Sequence, residues 1–165
     1  MSVSPKKLSI CFVCLGNICR SPMAEGVLGK LIAEVGLRGR VRVDSCGTGG
    51  WHKGERADKR ARELASSRGY ELNSVARQIT EADFRNFDLL IGMDKNNLRD
   101  LHELAPDAKA KVKIKLLRDF DPLSPKGSEI PDPYYGSSED VARAFDMVEA
   151  ACKGLLDHLR QRHRL

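Results

Sequence analysis

Leu8-Ser9-Ile10-Cys11-Phe12-Val13-Cys14-Leu15-Gly16-Asn17-Ile18-Cys19-Arg20-Ser21-Pro22 changes character twice in a short distance. Leu8 to Val13 is rich in β-formers and reads as a strand. The chain then turns through a loop with Gly16 inside it. Pro22 suits the first position of a helix, where its missing N–H is no loss, and Ser21 before it reads as the N-cap. Met23, Val27, Leu31 and Val35 recur every four residues, and Gly36 stops the pattern. Strand, tight loop and helix in that order open a parallel β-α-β arrangement.

Outward from this unit the alternation continues. Val41 to Ser45 reads as a short strand and Gly47-Thr48-Gly49-Gly50 as a loop. Ala57, Ala61, Leu64 and Ala65 make a helical stripe closed by Gly69, and Thr80 with Asp83 has the spacing of a helix start. Leu89-Leu90-Ile91-Gly92-Met93 is a continuous apolar run, the mark of a strand covered on both faces. Lys95 to Leu104 reads as helix, stopped before Pro106. Val112 to Leu117 alternates as a strand near the sheet edge. Val141, Phe145, Val148, Cys152, Leu155, Leu156 and Leu159 line a long final helix. The predicted fold is therefore α/β: one domain over residues 1–165, a four-stranded parallel sheet with helices on both faces, doubly wound as in flavodoxins. Between Arg118 and Gly136 the prolines 122, 125, 131 and 133 mark a long loop, a feature that in compact domains is usually functional.

Composition narrows the classes. The 165 residues are 41% hydrophobic and 31% charged, which is globular and not disordered. No run approaches the ~20 apolar residues of a membrane helix. The start, Met1-Ser2-Val3-Ser4-Pro5-Lys6-Lys7, lacks a secretory pattern, so a cytoplasmic location without membrane insertion is expected. The net charge of +5 favours anionic partners. The basic residues are scattered and aromatics are only 5%, so nucleic acid is not expected. The five cysteines, Cys11, Cys14, Cys19, Cys46 and Cys152, are odd in number and read as reduced thiols. Their spacing reads as unlike a zinc site, so no metal and no cofactor are expected.

In such folds ligands sit at the carboxyl ends of the strands, which points to the loop after the first one. Cys14 is followed by five residues, then Arg20, a hydroxyl and a helix. The turn Leu15-Gly16-Asn17-Ile18-Cys19 can aim successive backbone N–H groups inward as an anion nest, and the helix end adds positive potential. Arg20 can fork onto two phosphate oxygens. The positive field favours Cys14 as a thiolate nucleophile, and Ser21 can donate to its sulfur. Attack on a phosphate monoester also needs a proton for the leaving oxygen. Asp132, stiffened between Pro131 and Pro133, is the candidate acid and the later base toward water. Trp51, Tyr134 and Tyr135 all fall in loops and can wall a slot deep enough for phosphotyrosine and too deep for phosphoserine.

With these residues in place the sequence resembles the low-molecular-weight protein tyrosine phosphatases, bacterial members more than vertebrate ones. The resemblance runs from Ile10 to the last helix. It is strongest in Val13 to Pro22 and in Asp132-Pro133-Tyr134-Tyr135-Gly136. Asp44-Ser45, Val75-Ala76-Arg77-Gln78-Ile79, Met93-Asp94 and Asn97 to Leu101 support it. It implies metal-free hydrolysis through a phosphocysteine on Cys14, with Arg20 as phosphate clamp and Asp132 as general acid. It implies that Asn17, Ser21 and Ser45 hold the loop by hydrogen bonds, and that Cys19 can bond to Cys14 on oxidation. Tyr134 and Tyr135 match the family's phosphorylatable pair. The implied partners are tyrosine-phosphorylated proteins, a bacterial tyrosine kinase among them. One departure is Ser74, where the vertebrate pattern has histidine.

Two other readings compete. Arsenate reductases of the same fold relay electrons through further cysteines, but none occurs here between Cys46 and Cys152. A phosphate-binding module without turnover would keep Arg20 and the nest yet need neither Cys14 nor Asp132.

Overall fold

A computed structural model of the chain describes residues 6–165. The stretch Met1 to Pro5, read above for export signals, lies outside the described residues. The elements follow in the order β1 (Leu8–Cys14), α1 (Arg20–Glu34), β2 (Val41–Gly47), α2 (Lys59–Ser67), α3 (Glu81–Asn86), β3 (Leu89–Gly92), α4 (Lys95–Leu104), α5 (Ala108–Lys111), β4 (Ile114–Leu116), a 3₁₀ turn (Leu117–Phe120) and α6 (Ser138–His163). All strand pairs are parallel, in the order β2-β1-β3-β4. The four-stranded, doubly wound α/β fold is as the sequence predicts.

β1 is central, so both of its faces are covered and the alternation sorts its side chains. Ile10, Phe12 and Cys14 face the core shared with α1 and α6. Cys11 and Val13 face the opposite core with Phe84, Phe87, Leu90 and Leu101. This sorting also decides how one pair of cysteines, close in sequence, is placed. Cys11-Phe12-Val13-Cys14 is a Cys-x-x-Cys, but three residues apart on a strand the two thiols point to opposite faces and cannot share a metal or a bond. Cys11 instead meets Cys46 of β2, sulfur to sulfur at 3.5 Å. The stripe predicted on the last helix is buried from Val141 to Leu159, and each large side chain there contributes about 1.5–3 kcal/mol.

Three local readings are corrected. Helix α1 starts two residues earlier than Ser21 suggests: Cys19 is the N-cap, and the Ser21 hydroxyl is used elsewhere. The edge strand is Ile114–Leu116 and not 112–117. Asp107 accepts the Ala110 N–H at 2.8 Å and winds Ala108–Lys111 into a helical turn, leaving Val112 exposed as its C-cap. The segment after β4 is not structureless. It begins with the 3₁₀ turn, and Arg118 pins it by donating to the Glu129 carbonyl (2.9 Å) and the Ser124 hydroxyl (3.0 Å).

From β1 the chain crosses to β2 on one side and later to β3 on the other. The carboxyl end of β1 is thus a topological switch point, the place where open α/β sheets bind ligands.

Candidate active site

At that switch point a cavity of about 440 Å³ opens between the loop after β1, the segment at Trp51 and the loop carrying Asp132. Cys14 lies at its floor, 3% exposed, and Tyr135 stands at its mouth, 96% exposed. Leu15, Gly16, Ile18, Cys19, Arg20, Trp51, Asp132 and Tyr134 also line it. Asn17, Ser21 and Ser45 do not. Their side chains are buried behind the loop and brace it from below.

That brace has a direction. The Arg77 N–H donates to Asn17 Oδ1 at 3.0 Å, which turns the amide nitrogen toward the two hydroxyls. Asn17 Nδ2 then donates to Ser21 Oγ (2.8 Å) and Ser45 Oγ (3.0 Å). The Ser45 hydroxyl in turn donates a hydrogen bond to Glu25 Oε1 at 2.5 Å. Ser21 Oγ, already an acceptor, lies 3.0 Å from Cys14 Sγ and can donate to it as a thiolate. Asn17 itself sits at φ 56°, a left-handed conformation that asparagine tolerates better than most residues. Burial pushes the Glu25 carboxyl up, against the lowering effect of the Ser45 hydrogen bond and of Arg77. Gly47 lets the end of β2 abut this loop, since a β-carbon there would lie 2.7 Å from the Leu15 carbonyl.

Among the described residues, the backbone N–H groups from Leu15 to Cys19 donate to no protein acceptor, although the loop is largely buried. A run of unpartnered backbone N–H groups beside a cavity and at a helix start is suited to an anion.

Arg20 is 2% exposed, so its charge needs compensation. Nη1 donates to Asp94 Oδ2 at 2.7 Å and to the Ile130 carbonyl at 2.8 Å. Among the described residues, Nη2 has only a 3.5 Å contact with Asp132 Oδ2. One corner of the guanidinium is fixed, and its Nε/Nη2 edge is left as a two-pronged donor toward the cavity. Burial alone would push the guanidinium down. The Cys14 sulfur, Asp94 and Asp132 outweigh it and hold Arg20 above its ordinary value. Burial pushes the Cys19 thiol up to about 12, so it is neutral beside Cys14. Asp132 is held on its other side, its Oδ1 accepting the Tyr134 N–H at 3.1 Å.

Two residues of this site were given no role in the sequence reading. Asp94, at the carboxyl end of β3, could have been found from the same strand-end rule that located Cys14. His52 lies over Gly16, its ring 2.9 Å from where a β-carbon would be. It bonds Glu55 Oε2 at 2.5 Å and tilts against the Tyr134 ring at 5.5 Å. No spacing signal marks it.

Fold and site together define a doubly wound α/β protein with a cysteine sulfur at the floor of a cavity lined by backbone amides and an arginine. Residues 9–165 match the family model of the low molecular weight phosphotyrosine protein phosphatase, and the chain belongs to that family. A low molecular weight protein-tyrosine-phosphatase of Streptomyces coelicolor is 45% identical over 153 residues, spanning 92% of this chain and 93% of the relative. The human low molecular weight phosphotyrosine protein phosphatase is 41% identical over 150 residues, spanning 90% of this chain and 94% of the relative. The crystal structure of a protein tyrosine phosphatase from Entamoeba histolytica with Hepes in its active site has a TM-score of 0.89 at 39% identity, covering 96% of this chain and all (100%) of that one.

Proposed function

We propose that this chain, a protein-tyrosine phosphatase by family, hydrolyses phosphotyrosine and aryl phosphate monoesters without a metal, through a phosphocysteine on Cys14. The phosphate oxygens rest on the amides of Leu15 to Cys19 and on the Nε/Nη2 edge of Arg20. The Cys14 thiolate attacks phosphorus as the bond to the aryl oxygen breaks, and Asp132 gives that oxygen its proton. Water then attacks phosphorus, the Asp132 carboxylate takes the water's proton, and the sulfur leaves as a thiolate that the Ser21 hydroxyl stabilises. Trp51, Tyr134 and Tyr135 flank the aromatic ring, and the depth of Cys14 below them selects phosphotyrosine over phosphoserine.

The observation that carries this reading is the convergence in one cavity of a floor thiol 3.0 Å from a hydroxyl, an arginine with one free edge, and a carboxylate on the opposite wall. The same reading takes residues 1–165 as one catalytic domain acting in the cytoplasm on tyrosine-phosphorylated proteins, a bacterial tyrosine kinase among them. It includes an oxidised state in which Cys14 bonds to Cys19. Among the described residues, no helix is long and apolar enough to cross a membrane.

The test is hydrolysis of phosphotyrosine and phosphoserine peptides in EDTA by wild type and Cys14→Ser. Cleavage of phosphotyrosine alone, lost in the variant while inorganic phosphate still binds, is the expected result. Turnover that survives in Cys14→Ser, or that EDTA stops, overturns it.

A further inference from the structure

The loop that carries Asp132 is held at both ends by arginines. On its near side Ile130 donates its N–H to the Met93 carbonyl at 2.9 Å and offers its own carbonyl to Arg20 at 2.8 Å. Beyond Asp132 there is no strand to join, yet three carbonyls converge on one guanidinium. Arg60 donates to the carbonyls of Gly136 (Nη1, 2.7 Å) and Tyr134 (Nη2, 3.0 Å), and reaches that of Pro133 at 3.4 Å.

Arg60 is itself anchored. Its Nε and Nη2 meet Asp58 Oδ1 and Oδ2 at 3.3 and 3.2 Å. Asp58 is the N-cap of α2, with Oδ1 accepting the Arg60 N–H at 2.8 Å, and its side chain is 13% exposed. The Asp58 N–H in turn donates to the Ile18 carbonyl at 2.6 Å, inside the anion loop. One corner of α2 therefore touches both the loop of Cys14 and the loop of Asp132.

The link to chemistry runs through Tyr134. Its N–H is the donor that aims Asp132 Oδ1, and its carbonyl is one that Arg60 holds. We infer that Arg60 is a positioning residue: by fixing the Tyr134 peptide between α2 and Asp132 it sets the distance from the acid to the leaving oxygen. The inference rests on the reading of Asp132 as general acid. Arginine suits the task because its planar fork can serve several acceptors at fixed angles, which a lysine cannot. A misplacement of about 1 Å in a reacting group lowers a rate by as much as ~10²-fold.

The experiment measures kcat/KM for a series of aryl phosphates whose leaving groups span a wide range of basicity. It compares wild type, Arg60→Met, Arg60→Lys, Asp132→Ala and the double variant Arg60→Met/Asp132→Ala. Inhibition by inorganic phosphate and thermal unfolding are read on each. Asp132→Ala is expected to lose most on basic leaving groups. Arg60→Met should copy that pattern in weaker form, roughly tenfold on phenyl phosphate and under about threefold on p-nitrophenyl phosphate, whose leaving group scarcely needs a proton. Phosphate inhibition should stay within about twofold, and in the Asp132→Ala background the Arg60 change should do nothing further to the leaving-group slope. Arg60→Lys keeps the charge beside Asp58 and should still show the steeper slope.

Equal losses on all leaving groups, or additivity with Asp132→Ala, reduce Arg60 to a structural residue and overturn the inference alone. A flat leaving-group series for Asp132→Ala removes the acid itself and overturns both readings. Should Arg60→Met unfold at assay temperature, Arg60→Lys decides the matter by the same slope.

Discussion

Removing the charge of Asp94 isolates what holds Arg20 in place. The two side chains are 2% and 17% exposed and 2.7 Å apart, so water can replace little of their attraction. Deleting one partner of a buried ion pair costs about 3–5 kcal/mol. The lower end, about 3 kcal/mol, applies here, because the Ile130 carbonyl stays at 2.8 Å and Asp132 at 3.5 Å. Asp94 has a second task as N-cap of α4, its Oδ1 accepting the Asn97 N–H at 2.7 Å. Asparagine caps nearly as well as aspartate and alanine does not, so Asp94→Ala should lose about 1 kcal/mol more than Asp94→Asn. In a chain of this size each kcal/mol moves the melting point by about 2–4 °C. Asp94→Asn should melt about 6–12 °C below wild type and Asp94→Ala about 8–16 °C below it.

The functional consequence is separable from the stability. Asp94 and Ile130 occupy Nη1, and that contact turns the Nε/Nη2 edge toward the cavity. With the carboxylate gone the guanidinium swings, and phosphate meets one donor in place of two. The inhibition constant for inorganic phosphate should rise roughly tenfold, a loss of the order of one charged hydrogen bond. Urea unfolding and competitive inhibition of p-nitrophenyl phosphate hydrolysis read the two effects on the same preparations. An unchanged phosphate constant in a destabilised Asp94→Asn would show that Asp94 only neutralises charge. A fully stable Asp94→Asn would refute the burial argument outright.

Asn17 stands in the left-handed region at φ 56°, so Asn17→Gly should lose only the hydrogen bonds while Asn17→Ala also bears a backbone strain of about 1–2 kcal/mol; equal stabilities by urea titration would contradict this. A β-carbon on Gly154 would lie 1.9 Å from the Phe120 carbonyl, so Gly154→Ala should push the 3₁₀ turn off α6 and cost about 1–3 kcal/mol, with kcat intact at low temperature. Burial raises the Cys19 thiol from the ordinary 9.0 to about 12. The folded chain thus keeps a proton that the unfolded chain releases, a stability present below pH 9 and lost as the pH climbs toward 12. Cys19→Ala should make the alkaline stability curve shallower by about 1.4 kcal/mol per pH unit in that window, and parallel curves for the two proteins would disprove it.

The fold was legible because its signals are periodic. The stripe from Val141 to Leu159 repeats at the helical spacing and the unbroken apolar run at Leu89–Met93 has the length of a doubly covered strand, and both elements are where those patterns put them. The misread pieces are short ones, where a single capping residue outweighs a pattern. Asp107 winds a turn that turns Val112 out of the edge strand, and Cys19 takes the N-cap because Ser21 is committed to Cys14 and Asn17. The Cys-x-x-Cys of β1 shows the converse: spacing alone says nothing until the element's period assigns each thiol a face.

The site was legible for a different reason, and only in part. Cys14, the anion loop and Arg20 are contiguous, so their chemistry can be read from one stretch of chain. Asp94, Glu25, Arg77 and Arg60 are not contiguous with the residues they serve. Arg77 turns the Asn17 amide with a backbone N–H, and Arg60 acts on backbone carbonyls, so in neither pair do two side chains betray each other. A side chain that works through another residue's backbone leaves no motif, because any residue supplies the peptide group it needs. What marks such positions is geometry: a donor with several prongs facing a segment that lacks a ladder of its own. By that criterion the placement of the loop carrying Asp132 owes as much to the first turn of α2 as to the prolines around it. Changes at Asp58 or Arg60 should therefore reach the chemistry without touching the substrate.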